Sequence, residues 1–151
     1  SAALCAEPCL MLKGLSPLLN ADLLHVLASM GHGDEIVLAD GNFPAATHAR
    51  RLVSMPGADA AQVLDAVLSV LPLDDFVEQA ALTMQVVGDV SAVPDVVLQF
   101  NDTLRRHGCA PSAALERFAF YQRAAGAFAI VSTGERRVYG NILLKKGVVR
   151  S

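Results

Sequence analysis

The sequence predicts an α/β domain with helices on both faces of a largely parallel sheet. Short apolar runs, such as the one in EIVLAD, are typical of strands that are buried on both sides. These runs alternate along the chain with segments that have helical periodicity. The chain has 151 residues, enough for one domain with a substantial core and too few for two of ordinary size.

The first predicted helix and strand lie in NADLLHVLASMGHGDEIVLAD. Asn20 is a candidate N-cap, and Gly31 is predicted to end the helix in a left-handed conformation. One helical face carries Leu23, Val26, Leu27 and Met30. The strand that follows ends at Asp40. The stretch from Asn42 to Gly57 shows the weakest pattern, and we interpret it as a long active loop or lid.

Three further segments complete the expected alternation of helices and strands. A helix is predicted after Asp59 and ends before Pro72, and AALTMQVV reads as a strand. Another helix is predicted between Pro94 and Gly108. A short helix from Tyr121 to Gly126, a strand from Phe128 to Ser132, a turn at TGE and a last strand in VYGNILLKKG follow.

Composition excludes some classes of function. Net charge is −3 and no basic run exceeds two residues, which argues against nucleic acid as a partner. No apolar run approaches the roughly 18 residues that a membrane span needs. Hydrophobic residues nevertheless make up 53% of the chain, so we expect a homo-oligomer that buries apolar surface between its subunits.

Cysteine and histidine usage favours a cytoplasmic protein without a metal site. Three cysteines are an odd number, which argues against a disulfide framework, and the four histidines are scattered. Residues 1–10 carry no positive charge of the kind that begins a secretory signal. We interpret residues 1–10 as a poorly ordered N-terminal extension and residues 11–151 as the domain.

Two polar residues flank the first strand. His32 lies between two glycines, and a histidine can exchange a proton at neutral pH; it could equally be a loop histidine bonded to Asp34 or to a carbonyl. Asp40 follows the strand, where ligands of α/β sheets gather, and its carboxylate suits sugar hydroxyls; it could equally cap a turn. Asp34 and Glu35 are either partners of His32 or solvated turn charges.

The remaining candidates are more weakly indicated by the residues alone. Tyr139 and Asn141 in YGN can donate and accept hydrogen bonds, and Gly140 leaves room for a ligand against the backbone. Tyr121 could be a core aromatic residue, and Arg117 could pair with Glu116 or Glu135. Asp74 could cap or turn the chain. These residues indicate a neutral polyhydroxyl ligand and proton-transfer chemistry.

The motifs MGHGDEIVLADGNFP, RFAFYQRA with AFAIVSTGE, and YGNILLKKGV together resemble the ribose pyranase/fucose mutarotase family. The resemblance covers nearly everything from Met11 to Val149. Ribose pyranases typically have GHTDE, GLP and YAN at the matching places, where this chain has GHGDE, NFP and YGN. All three choices favour the fucose branch of the family.

The resemblance implies a single three-layer α/β/α domain with a mostly parallel or mixed sheet. It also implies a homo-oligomer, from a dimer up to a decameric ring, with L-fucose bound at the subunit boundary. His32 matches the proton donor, and Tyr139 is our candidate for its catalytic partner. The positions that match sugar contacts are Asp40, Asp74, Met84, Arg117, Tyr121 and Asn141.

The expected activity is therefore that of an isomerase that interconverts sugar anomers by acid–base ring opening and closure. Proton transfer alone suffices for this reaction, so no cofactor or metal is expected. One alternative is a mutarotase of the D-ribose pyranase type. Another is a monosaccharide-binding module without turnover, which would be expected to lose His32 or YGN while Asp40 remained.

Overall fold

The computed structural model describes residues 12–150, so the predicted extension at residues 1–10 lies outside the described residues. Six strands form one sheet: β1 Glu35–Ala39, β2 Leu52–Met55, β3 Ala81–Met84, β4 Ala113–Leu115, β5 Ala129–Thr133 and β6 Ile142–Lys145. Their order across the sheet is β2-β5-β1-β6-β3-β4. Strand β6 is antiparallel to both of its neighbours, β1 and β3, and the other pairs are parallel. The sheet is therefore mixed.

Helices cover both faces of the sheet, which confirms the predicted α/β/α layers. The helices are α1 Ala21–Ser29, α2 Ala45–His48, α3 Ala60–Leu68, α4 Asp95–Arg106 and α5 Arg117–Gly126. Helices α1, α3 and α4 pack against the face of β1 that carries Ile36 and Leu38. Helices α2 and α5 pack against the face that carries Val37 and Ala39. Alternate side chains of one buried strand thus contribute to two separate cores.

The predicted helix signals at three positions are confirmed. The Asn20 side chain accepts a hydrogen bond from the Leu23 N–H and caps α1. Asp59 caps α3 in a reciprocal capping box with Gln62. Gly108 follows α4 with a φ of +73°, as expected for a glycine just past a helix end.

Several predicted boundaries are wrong. The stretch from Asn42 to Gly57 is not a long loop, because it contains α2 and β2. Helix α3 was predicted to continue to Pro72, but it ends at Leu68. Directly after this end, the Ser69 hydroxyl donates to the Ala66 carbonyl. Helix α5 begins before Tyr121, because the Glu116 carboxylate accepts the N–H groups of the first turn.

Two smaller features also differ from the sequence interpretation. Gly31 does not adopt the left-handed conformation; Gly33 does, with a φ of +86°. The three-residue strand β4 was not predicted, since it is too short to show a period. None of the helices between residues 12 and 150 has the length and hydrophobicity to span a membrane.

Helix α4 offers a matched pair of leucines for testing the core. Leu104 is fully buried and Leu98, on the same helix, is exposed. We expect Leu104→Ala to lower the free energy of unfolding by about 2–5 kcal/mol, because it leaves a cavity. We expect Leu98→Ala to change it by less than about 0.5 kcal/mol.

Urea denaturation followed by far-ultraviolet circular dichroism, at one fixed protein concentration, measures both effects. Equal losses in the two variants would contradict the assignment of Leu104 to the core.

Candidate active site

Six of the eight predicted site residues meet in one cleft of about 340 Å³, within the size range of small-molecule sites. We call it the polar cleft, and its predicted members are Asp40, Met84, Arg117, Tyr121, Tyr139 and Asn141. It lies beyond the carboxyl ends of β1 and β3, beside the start of β6 and of α5. This is where ligands of α/β sheets usually bind.

Asp40 is the most constrained residue of the cleft. One carboxylate oxygen accepts the N–H groups of Asn42 and Phe43, each at 2.9 Å, and the other accepts the Gly140 N–H at 3.2 Å. Burial raises the pKa of Asp40, and these hydrogen bonds offset that effect only in part. A carboxylate has about four acceptor positions and three are filled, so about one further hydroxyl donor can still bind to Asp40.

Asn141 joins the start of β6 to the end of β1. Its side-chain oxygen accepts the Asp40 N–H at 2.8 Å, and both residues are buried. The sequence predicted both as polar site residues, but it gave no indication that they bond to each other. This bond fixes the relative positions of the two side chains at the floor of the cleft.

Tyr139 has a backbone conformation that is unusual for a tyrosine. Its φ of +63° makes it the one non-glycine residue with positive φ among residues 12–150. Such a conformation costs about 1–3 kcal/mol and persists only where the surroundings enforce it. The phenol oxygen accepts the Val87 N–H at 3.0 Å, so the hydroxyl is held at the cleft by the loop that follows β3.

The loop from Thr133 to Gly140 is organised by a buried carboxylate that the sequence analysis did not select. Glu135 accepts the Arg137 backbone N–H at 3.1 Å and two guanidinium N–H groups at 3.0 Å. The bonded Arg137 side chain is the main cause that lowers the pKa of Glu135. The available signal was a glutamate and an arginine two residues apart, separated from YGN by one residue.

Gly140 was predicted to leave room for a ligand, and this interpretation is wrong. A Cβ atom there would lie 2.7 Å from the Glu135 Cγ and 3.0 Å from the Arg137 carbonyl oxygen. The space beside Gly140 is therefore filled by the chain itself. Glycine is required at this position because the loop folds back against it.

One wall of the cleft is apolar. Met84 and Phe43 line it, and the Phe43 ring packs against Tyr121 with centroids 5.5 Å apart. His48, on α2, also stacks on Tyr121, with centroids 5.7 Å apart and an interplanar angle of 22°. The sequence analysis gave Tyr121 either as a core aromatic residue or as a site residue. It packs among aromatic rings and also lines the cleft.

Arg117 begins α5 and lies over the Phe118 ring, with its central guanidinium carbon 4.7 Å from the ring centroid. The predicted pairing with Glu116 or Glu135 is wrong, because Glu116 caps the helix and Glu135 binds Arg137. Within residues 12–150 no salt bridge involves Arg117. Its charge is therefore available at the cleft.

His32 and Asp74 lie at the opposite end of the sheet from the polar cleft. His32 precedes β1 and Asp40 follows it, so the length of this five-residue strand, about 17 Å, separates them. The His32 Nε2 lies 3.2 Å from the Asp74 carboxylate. Asp74 is buried, whereas the His32 side chain is 46% exposed. The Phe76 N–H and, to a lesser extent, His32 lower the pKa of Asp74.

The end of β6 holds this second cluster together. The Asp74 N–H donates to the Lys145 carbonyl at 2.9 Å, and the Gly33 N–H donates to the Lys146 carbonyl at 2.9 Å. A Cβ on Gly147 would lie 2.5 Å from the Leu73 carbonyl oxygen, so only glycine allows this approach. His32 and Asp74 are thus placed by neighbouring residues of one strand end.

The suggested partners of His32 in the sequence, Asp34 and Glu35, have other roles. The Asp34 carboxylate accepts the Gly31 N–H at 2.7 Å, and Glu35 pairs with Arg123. The partner of His32 is Asp74, which is distant in sequence. In the part of the chain that the structure describes, no group of three or more His, Cys, Asp or Glu side chains could hold a metal ion.

Comparisons with known proteins agree with this geometry. A model described as the RbsD / FucU transport protein family matches residues 13–149. Human fucose mutarotase is 46% identical over 145 residues, which cover 91% of this chain and 94% of the human protein. The crystal structure of Streptococcus pneumoniae fucose mutarotase in complex with L-fucose superposes with a TM-score of 0.87 at 40% identity, covering 92% of this chain and all of that one.

A more distant similarity concerns the fold alone. Bacillus subtilis RbsD complexed with D-ribose superposes with a TM-score of 0.71 at 21% identity, covering 93% of this chain and all of that one.

The bridge between Glu135 and Arg137 makes a prediction about acid stability. Because the pKa of Glu135 is lowered in the folded state, its carboxylate stabilises the fold above its unfolded pKa of about 4.3. That contribution is lost as the pH falls through the lower folded pKa. We therefore expect Glu135→Gln to be less stable than wild type at neutral pH and to lose less unfolding free energy on acidification.

Urea denaturation at about pH 6 and about pH 3 measures this difference in acid sensitivity. Glu78→Gln is the control, because Glu78 is exposed and forms no salt bridge within residues 12–150. If Glu135→Gln loses as much stability as wild type on acidification, the bridge does not act in this way.

Proposed function

The chain belongs to the RbsD/FucU family, and from this premise we infer that it is a fucose mutarotase, an isomerase that interconverts the α and β anomers of L-fucose. The polar cleft carries this inference. It combines a buried carboxylate, an amide, an unpaired arginine and a phenol with an apolar wall, as a sugar with one methyl group requires.

Mutarotation needs two proton transfers. A base takes the proton of the C1 hydroxyl while an acid gives a proton to the ring oxygen, and the bond from C1 to the ring oxygen breaks. The resulting aldehyde rotates, and the reverse transfers close the ring on its other face. Positioned acid–base groups contribute about 10²–10⁴-fold each, which suits a reaction that already proceeds slowly in water. The proposed reaction therefore needs no cofactor.

We assign His32 as the acid toward the ring oxygen and Tyr139 as its partner at the C1 hydroxyl. The Val87 N–H occupies one lone pair of the phenol oxygen, so the other can accept the C1 hydroxyl proton while the phenol passes its own proton to water. Asp40 and Asn141 bind sugar hydroxyls at the floor of the cleft, and Arg117 binds them from α5. Asp74 orients the imidazole of His32, as its 3.2 Å contact supports.

The separation of His32 from the cleft implies that each site is shared between subunits. Within one chain, β1 stands between His32 and Asp40. We therefore propose that His32 and Asp74 of one subunit meet the polar cleft of the next. Such a contact joins two different surfaces of the same chain, so repeating it around an axis gives a ring. A dimer up to a decameric ring would satisfy this arrangement.

Exposed apolar side chains at both ends of the sheet support the shared site. Phe76 is 67% exposed, and its ring lies 5.3 Å from that of His32. Phe118 and Val138 are exposed near the rim of the polar cleft. Burial of these side chains between subunits would cover apolar surface and exclude water from the sugar. We propose the cytoplasm as the site of the reaction, in line with the cysteine usage.

One prediction of the proposed function concerns His32. We expect His32→Ala to fold normally, because its side chain is half exposed, and to lose most anomer exchange on L-fucose. Saturation-transfer NMR on purified protein measures the exchange rate. Exchange at the wild-type rate in a folded variant would contradict the assignment of His32 as the acid.

Mixing two impaired variants tests the shared site within the same experiment. We expect His32→Ala and Tyr139→Phe chains to recover activity when they form mixed assemblies, with about a quarter of the sites intact after random mixing of equal amounts. Native mass spectrometry checks that the chains have mixed and gives the subunit number. Mixed assemblies without recovered activity would show that each site lies within one chain.

Another prediction of the proposed function concerns sugar preference. Fucose carries a methyl group at C5, where ribopyranose has only hydrogens, and Met84 and Phe43 form the apolar wall. Burial of one methyl is worth about 0.8 kcal/mol, so this wall alone gives only a few-fold preference for fucose. Hydroxyl stereochemistry supplies the rest, since an unpaired buried polar group costs about 1–3 kcal/mol.

Truncation of Met84 to alanine should therefore narrow the ratio of the fucose rate to the ribose rate by a few-fold without abolishing turnover. NMR exchange rates on the two sugars measure this ratio. Faster exchange of ribose than of fucose by the wild-type protein would replace the fucose assignment with that of a ribose pyranase.

A further inference from the structure

We propose that Glu135 and Arg137 are positioning residues for the proton transfer that Tyr139 performs. This inference rests on the proposed function, and it assigns a role to two residues that the sequence motifs did not single out. Neither residue lines the polar cleft, so both act through the backbone that carries Tyr139.

Glu135 connects three segments that surround the cleft. Its carboxylate binds the Arg137 backbone and guanidinium. Its carbonyl accepts the Gly41 N–H at 2.8 Å, in the turn that follows Asp40. Its own N–H donates to the hydroxyl of Thr133, which in turn donates to the Ala39 carbonyl at 2.7 Å. The loop that carries Tyr139 is thereby anchored to the end of β1.

Arg137 closes the loop from the other side. Its guanidinium binds both Glu135 oxygens as a fork and also donates to the Gln99 side chain on α4 at 2.7 Å. A planar fork of this kind fixes orientation as well as distance, which a lysine cannot do. One side chain thus closes the loop on itself and ties it to α4.

The geometry of Tyr139 explains why this anchoring matters for catalysis. Tyr139 lies two residues after Arg137 and holds a φ of +63°, a conformation that a free loop would abandon. The next residue, Gly140, packs against the Glu135 side chain and donates its N–H to Asp40. Loss of the Glu135–Arg137 bridge would therefore release the phenol from its position. A displacement of about 1 Å can cost 10²-fold in rate.

A double-mutant cycle tests the proposal. We expect Arg137→Ala to lower kcat for L-fucose anomer exchange at least tenfold with a much smaller change in KM. Arg137→Lys should recover part of the loss, because it keeps the charge without the fork. In a Tyr139→Phe background the same Arg137→Ala change should lower the rate less than twofold, because the group it positions is already absent.

Matched variants keep the test specific. Arg105→Ala removes an arginine that pairs with Asp102 on the exposed surface of α4, and it should keep the wild-type rate. Circular dichroism checks that every variant folds. If Arg137→Ala does not fold, the same double-mutant cycle with Tyr139→Phe is measured with Arg137→Lys.

Three results would overturn the inference. The first is an equal loss of rate in both backgrounds, as expected of a purely structural residue. The second is a loss confined to KM, and the third is a wild-type rate in folded Arg137→Ala. Each of these leaves the proposed function intact, because the wild-type protein still exchanges the anomers of L-fucose. Absence of exchange in the wild-type protein would instead overturn the proposed function, and the inference with it.

Discussion

The antiparallel pairing of β6 with β1 is the constraint on which both halves of the candidate site depend. At one end of β6, Asn141 binds the Asp40 backbone, and at the other end Lys145 holds Asp74 and Lys146 holds the His32 turn. The register that pairs Leu38 with Ile142 and Glu35 with Lys145 fixes both ends at once. Because side chains alternate between the two faces, a slip of one residue would disrupt the core and both halves together.

The sequence predicted those parts of the fold that have a strong local signal. Helices α1 and α4 were identified because Asn20, Pro94 and Gly108 mark their ends by mechanisms that act within a few residues. Elements α2, β2 and β4 have three or four residues each, too few to establish a period. Strand β2 also lies at the sheet edge, so only alternate side chains are buried and no continuous apolar run appears.

Six of the eight predicted site residues lie in one cleft, but the sequence did not give their arrangement. Six of the eight residues lie in the quoted motifs, and Asp74 and Met84 came from the wider family resemblance. Neither source states which residues share one end of a sheet. The necessary clue was nevertheless present, since His32 precedes a buried strand and Asp40 follows it. The bond between His32 and Asp74 joins residues 42 apart in sequence and depends on β6, so no local pattern could have predicted it.

Two buried carboxylates near the polar cleft have pKa values shifted in opposite directions, and the difference follows from their hydrogen-bond partners. Glu135 has a guanidinium fork, so its pKa is lowered and it remains charged as an anchor. Asp40 has only neutral donors, so burial raises its pKa and its ionised form is under-solvated. A sugar hydroxyl that donates to Asp40 would supply part of the missing solvation. Asp40 would therefore gain a hydrogen bond when the ligand binds, whereas Glu135 already has its hydrogen bonds from Arg137.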